Sequence, residues 1–302
     1  MKKRLITALM HLFAALPLPV HRFNAHIIGF IARYIVRYRY GVVKDNVEKA
    51  FPEKSPKEHR RIVRDFYLHF GQIVCEMIWF GGCGPKRLRR SHIVEVVNPE
   101  EANRLHDVAR GTIVLCSHNG NWELYGGMPY FNYTDAPFAV NYDNAGVVYR
   151  KLRNPMWDEI FKENRIAPHR EFKNIVESSN ILRHILTHLD QKMFYFMISD
   201  QWPYFTAPSY VMVDFMGRRT RTMSGGAAVA KKYHLAVSYL SITRDKRKKN
   251  YNFEFKTICD DASAMSVQEI MDRYYRLLEE DIRKDPGNYL WSHRRWKKID
   301  QV

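Results

Sequence analysis

The sequence predicts an α/β fold, a single mixed sheet flanked by helices, preceded by a membrane-associated helical segment. Three observations carry this expectation. From residue 93 onward, short β-branched and aromatic runs alternate with amphipathic stretches, as strands and helices do around one sheet. No repeat, low-complexity tract or Gly/Ser/Pro-rich linker divides the 302 residues, enough chain for one large core. The first acidic residue is Asp45, whereas Lys2, Lys3, Arg4, Arg22, Arg33, Arg37, Arg39 and Lys44 precede it among apolar residues. The expected division is therefore a membrane-anchoring or interfacial segment, 1–44, and a catalytic-sized domain, 45–302.

Residues 5–20 form an apolar run of about 16 residues containing His11, Pro17 and Pro19, short of the ~20 that span a bilayer comfortably. Lys2-Lys3-Arg4 ahead of it favours a cytoplasmic N-terminus if it inserts. A cleaved signal peptide shares the basic start, but no small-x-small site precedes the prolines. Ile27, Phe30, Ile31, Tyr34, Ile35 and Tyr38 fall on one helical arc flanked by Arg33, Arg37 and Arg39. Such a helix lies in the headgroup plane with snorkelling arginines, or packs on the core with its arginines in water.

Ser55-Pro56-Lys57-Glu58 is a capping-box pattern opening a helix that runs to about Phe80 and stops at Gly81-Gly82. Expected strands follow at 93–97, 111–117, 138–141, 194–198, 210–215, 236–243 and 252–258. Expected helices lie near 99–109, 122–129, 146–164, 173–189, 224–233 and 266–284. Arg244–Lys249 between two strands reads as a basic hairpin tip.

The stretch Val114-Leu115-Cys116-Ser117-His118-Asn119-Gly120-Asn121-Trp122-Glu123 carries the chemistry. On one helix, residues five apart point roughly 140° from each other, so His118 and Glu123 converge only across a bend. Asn119-Gly120-Asn121 permits one, because Asn and Gly tolerate positive φ. A strand, a turn and a helix would then set a base, His118, beside an orienting carboxylate, Glu123. Reactive residues belong at the carboxyl ends of strands in such sheets, and both His118 and Asp200 fall there. Cys116 is two residues from His118 along a strand, roughly 7 Å, beyond hydrogen-bond reach, so it reads as core. Scattered histidines and four cysteines without paired spacing give no metal or cofactor expectation.

A net charge of +16 demands an anionic partner. Nucleic acid is the rival reading, with Tyr204, Phe205 and the run 293–298 as a basic aromatic surface. The N-terminal basic residues are interleaved with Ile, Phe and Leu rather than Gly and Ser, which favours an anionic phospholipid surface.

Several further stretches complete the reading: Asn46-Val47-Glu48-Lys49-Ala50-Phe51-Pro52, the His118–Glu123 box, Tyr149-Arg150 with Asn154-Pro155, Ser199-Asp200-Gln201, Phe215-Met216-Gly217, and Tyr289-Leu290-Trp291-Ser292-His293-Arg294-Arg295-Trp296-Lys297. In order and spacing the chain resembles the bacterial lipid A late acyltransferases, the carrier-protein-dependent branch of the lysophospholipid acyltransferase superfamily. The resemblance implies transfer of a fatty acyl group from an acyl carrier protein thioester to a hydroxyl of a lipid A precursor, at the cytoplasmic face of the inner membrane. His118 would be the general base and Glu123 its orienting carboxylate. Arg150 would stabilise the thioester oxyanion or hold an acceptor phosphate, and Trp122, Asn119, Asp200 and Gln201 would contact substrate. Asp200 reads equally as a turn former before Pro203, and Trp122 as core. A lysophospholipid or aminolipid acceptor is the alternative. The two basic runs outside the N-terminus, 244–249 and 293–298, are the expected docking surfaces for an acidic carrier protein.

Overall fold

The computed structural model describes residues 2–203 and 209–296. Tyr204, Phe205 and residues 297–298 of the C-terminal basic run lie outside them. The strands are β1 (Val94–Val96), β2 (Thr112–Cys116), β3 (Ala145–Tyr149), β4 (Ile175–Glu177), β5 (Phe194–Ile198), β6 (Tyr210–Phe215), β7 (Arg218–Met223), β8 (Ala236–Asp245) and β9 (Asn250–Cys259). Seven of them form a mixed sheet in the order β1-β9-β8-β2-β5-β3-β4, and β6 and β7 pair separately. All neighbours in the large sheet are parallel except β8 and β9.

The helices are α1 (Lys2–Ala14), α2 (Leu18–Phe30), α3 (Tyr40–Ala50), α4 (Pro56–Phe80), α5 (Pro85–Ser91), α6 (Pro99–Val108), α7 (Pro155–Arg165), α8 (Ile181–Thr187), α9 (Gly225–Tyr233) and α10 (Val267–Lys284). A π-helical turn, Ile31–Ile35, continues α2, and a 3-10 helix spans Trp122–Tyr130. The central strand β2 is buried at all five positions, as a parallel strand covered on both faces must be. Ile113 and Leu115 face a core built with α9 and α10, while Val114 and Cys116 face one built with α5 and α6.

Local signals explain most boundaries. The Ser55–Glu58 box caps α4 reciprocally, and Gly81 follows its end; Ser266 and Glu269 do the same for α10. Residues 138–141, expected as a strand, are instead a loop. There the side-chain amides of Asn103, Asn141 and Asn144 satisfy backbone groups that a sheet partner would otherwise take. The strand comes just afterwards, as β3, inside the stretch expected to be helical. The helix, α7, starts only at Pro155, with the Asn154 side chain as its cap. The helix expected over 173–189 likewise gives up its start to β4. β7 escaped detection because its arginines mask an alternation in which Thr220 and Thr222 point inward.

The N-terminal helices pack on the domain along one face and leave the other bare. Leu18, His21, Ala25, Gly29 and Ala32 are buried, whereas Phe23, Ile27, Phe30, Tyr34 and Ile35 are exposed. On α1 the exposed stripe is Leu5, Leu9 and Leu12, with Leu16 just past its end. Both stripes recur at helical spacing, so each helix has a filled seam and an open apolar face. Among the described residues no single helix is long and apolar enough to cross a membrane; α1 and α2 meet such a test only together, bent by 115°. The α2–α4 seam closes to backbone contact: a Cβ on Gly71 would sit 2.1 Å from the Ala25 carbonyl oxygen. Gly71→Ala should therefore force the helices apart and lower stability by about 1–3 kcal/mol. Gly41→Ala, where a Cβ meets nothing within 4 Å, should leave it within about 1 kcal/mol of wild type. Chemical denaturation of the two variants checks the contrast.

Candidate active site

Register builds the centre of the site. β2 and β5 are parallel, with Cys116 opposite Ile198, and Ser199 N–H continues the ladder to the Cys116 carbonyl. Two residues beyond each strand end, His118 and Asp200 face each other: His118 Nδ1 lies 2.7 Å from Asp200 Oδ1, and the His118 backbone N–H donates to Oδ2 at 3.1 Å. Asp200 is buried. Burial alone would raise its pKa, but the His118 imidazole and its hydrogen bonds, with the Arg295 guanidinium behind, overcome this and hold it at about 2. An ionised Asp200 makes Nδ1 the protonated nitrogen and leaves Nε2 with its lone pair outward. Gln201 Nε2 stands 3.1 Å from that Nε2, and the Trp122 ring meets the imidazole edge to face at 4.7 Å.

The turn after His118 is fixed from outside. Gly120 has φ +72°, and a Cβ there would strike Ile242 Cγ2 at 2.1 Å, so two separate constraints require glycine. Asn119 donates to the Ile242 carbonyl and bridges to Tyr289. Leu290 N–H donates to the His118 carbonyl, and Gly120 N–H to that of Asn288. Asn121 reaches Glu76, as does Tyr251. Asn119, expected to contact substrate, is buried, bonds the Ile242 carbonyl and is not among the cavity's lining residues.

Glu123 does not supply the carboxylate expected on the imidazole. It grips Arg165 in a two-point pair, Nε–Oε2 at 2.8 Å and Nη2–Oε1 at 2.9 Å. Asn121 Oδ1 accepts the Glu123 N–H and starts the 3-10 helix. That helix carries the Glu123 side chain to the end of α7, and Gly126 permits the approach, since a Cβ there would lie 1.8 Å from the Arg165 carbonyl oxygen. The ion pair offsets burial, and the Arg165 pKa stays raised. Nothing in the sequence singled out Arg165 among so many basic residues; only the need of a buried Glu123 for a partner would have pointed to it.

These groups open on one cavity of about 750 Å³, with His118, Trp122, Glu123, Arg150, Arg165 and Gln201 on its polar wall. Arg150 follows β3, so it shares the carboxyl edge of the sheet with His118 and Asp200. Apolar side chains, among them Ile181, Leu182, Ile185, Met197 and Val229, line the rest. Cys116 is buried with its thiol on the Val114 carbonyl, and burial raises its pKa, so it stays a neutral core residue.

The sequence pattern of bacterial lipid A biosynthesis acyltransferases matches residues 3–298. The chain belongs to that family. It is an acyltransferase, and its relatives fit along nearly its whole length. It is 24% identical over 290 residues to a lipid A biosynthesis palmitoleoyltransferase of Escherichia coli (strain K12), covering 95% of this chain and 88% of that protein. A lipid A biosynthesis acyltransferase of Shigella flexneri matches equally, and one of Haemophilus influenzae (strain ATCC 51907 / DSM 11121 / KW20 / Rd) is 22% identical over 297 residues, covering 93% of this chain and 86% of that protein.

The buried pair makes a two-part prediction for Asp200→Asn. Without the charge, Nδ1 loses its fixed proton, and kcat should fall by about 100-fold or more. Because the folded-state pKa of Asp200 is depressed, its contribution to stability is present above about 3.8 and is lost as pH falls through about 2. The size is on the order of 2 kcal/mol. Acid unfolding of the variant should lack that component, while an unchanged kcat would remove Asp200 from the mechanism.

Proposed function

We propose that this acyltransferase moves a fatty acyl chain from acyl carrier protein to a hydroxyl of a lipid A precursor, working at the cytoplasmic face of the bacterial inner membrane. The observation that carries the reaction class is the His118–Asp200 pair, with His118 lining a mostly apolar cavity. A hydroxyl is a weak nucleophile near neutral pH, and His118 Nε2 is the base that takes its proton as it attacks the thioester carbonyl. Gln201 marks where the hydroxyl stands. The new C–O bond forms, the C–S bond breaks, and the proton on His118 passes to the departing thiolate. Asp200 stabilises the imidazolium in between, as a carboxylate does in a hydrolase triad. Arg165 or Arg150, cations on the same wall, meet the oxyanion. Glu123 acts here by fixing Arg165 rather than by touching the base. The apolar part of the cavity takes the acyl chain, in the size range of ordinary ligand pockets.

The family supports the lipid A acceptor, and an acyl carrier protein donor accords with the strong positive charge of the chain. Lys151 and Arg153 are exposed beside Arg150 at the cavity, a place for an acidic carrier to dock in addition to the runs 244–249 and 293–298. The bare stripes of α1 and α2 support seating on the membrane, apolar side down and basic residues among headgroups.

Three experiments test this reading. His118→Ala should lose at least about 100-fold in kcat with acyl carrier protein as donor. Glu123→Gln should lose less than Glu123→Ala, because it keeps one hydrogen bond to Arg165. A clear preference for acyl-coenzyme A over acyl carrier protein at fixed acceptor would overturn the donor. For the membrane seat, Leu9→Asp with Ile27→Asp alters only exposed positions and should abolish flotation with phospholipid vesicles; undiminished flotation would remove these helices from the interface.

A further inference from the structure

Another cavity, of about 210 Å³, is lined in part by Glu76, which also bonds Asn121 of the turn after His118. Its rim is basic and comes from separate elements: Arg22 and His26 of α2, Arg244 at the end of β8, and Lys246 and Lys249 of the hairpin tip. Its acidic members are already engaged. Asp245 accepts the backbone N–H groups of Arg247 and Lys248, and Glu76 accepts from Asn121 and Tyr251. Burial raises the Glu76 pKa, against the pull of its hydrogen bonds and of Arg22 and Arg244. Lys246 is paired with Asp285, and the positive charge that remains on the rim draws an anion.

The inner wall has the opposite polarity. Asn250 is buried and its Oδ1 has no hydrogen-bond partner, an arrangement that costs free energy unless a donor fills it. A ligand that satisfies both ends carries a phosphate toward the rim and a hydroxyl donor toward the interior.

Position selects the source of such a ligand. Arg22 donates to the Lys249 carbonyl, which joins α2 to the hairpin. On α2 the exposed Phe23, Ile27 and Phe30 flank the pocket's own Arg22 and His26. With that apolar face in a bilayer, the pocket stands at headgroup level.

We propose that this pocket binds the phosphoglycerol headgroup of an anionic membrane lipid, with Arg22, Arg244 and Lys249 on the phosphate and Asn250 Oδ1 on a glycerol hydroxyl. The inference rests on the membrane seat of α2 proposed above. The site is not remote from the chemistry. Glu76 also holds Asn121, which caps the helix carrying Glu123, and His69, beside Arg244, bonds the Gly120 carbonyl. Headgroup binding thus braces the wall behind the catalytic turn.

The test uses the full chain and the double variant Arg22→Gln/Lys249→Gln, with Arg60→Gln/Arg61→Gln, exposed on α4, as a control of equal charge. Flotation is measured with phosphatidylcholine vesicles and with vesicles also containing phosphatidylglycerol or phosphatidylserine, which add equal charge. The pocket variant should lose about tenfold in affinity for phosphatidylglycerol vesicles, and the control less than twofold. Wild type should prefer phosphatidylglycerol to phosphatidylserine. Glycerol 3-phosphate should raise the melting temperature of wild type and not of the pocket variant, and inorganic phosphate should do so more weakly. Equal losses in both double variants would mean diffuse surface charge and overturn the site. So would the absence of any melting shift with glycerol 3-phosphate. Phosphate acting as strongly as glycerol 3-phosphate would overturn the glycerol contact. If wild type floats with no vesicle, the membrane seat fails. The melting shift still decides the pocket.

Discussion

A carboxylate as buried as Asp200 is tolerable only with a cation or donors against it, and the surrounding structure provides them from several directions. The imidazole and backbone N–H of His118 take its two oxygens, and the field of Arg295 adds to them. Arg295 is itself buried, bonded to the Tyr275 hydroxyl and the Arg221 carbonyl and set over the Phe215 ring. The charge at the strand ends therefore makes demands on β7, α10 and the C-terminal segment together. Tyr274 and Thr222 answer the same edge by donating to the carbonyls of Cys116, the last residue of β2, and Ser199, the first after β5.

This explains why distant stretches of the chain share a motif-like character. Asn46 donates to the carbonyls of Trp291 and His293, and Phe51 packs edge to face on Trp291. Residues 288–290 then hold the turn at His118 through backbone hydrogen bonds. The early Asn-Phe-Pro segment, the histidine turn and the Trp-x-His-Arg-Arg ending are three layers of one clamp. Within that clamp Asn46 and Asn119 face inward and bond to backbone carbonyls, while the His118 side chain is left at the cavity.

The N-terminal helices continue this logic toward the outside. Small residues on α2 let it lie on α4, whose Glu76 and His69 touch the turn from behind, so the apolar surface and the reactive edge share one rigid path. Lys3 on α1 pairs with Glu159 and Glu163 of α7, the helix that ends at Arg165. The Glu123–Arg165 side of the cavity is thus braced through α7 by α1, a helix with a bare apolar face.

Much of this was legible in the sequence, for local reasons. The capping box at Ser55, the apolar run of β2, the glycine turn after His118 and the arc of Ile27, Phe30, Tyr34 and Ile35 are short-range patterns, and each formed about where its chemistry required. The positions of His118 and Asp200 at strand ends were legible too, since strand boundaries follow from neighbouring residues. What pairs with what was not. The five-residue spacing of His118 and Glu123 suggested a contact, but the interstrand register of β2 and β5 gave the imidazole to Asp200, 82 residues away in the chain. Glu123 was left for Arg165, an arginine that no spacing distinguishes. Partner choice among buried charges is set by which backbones lie side by side, and only the tertiary structure decides that.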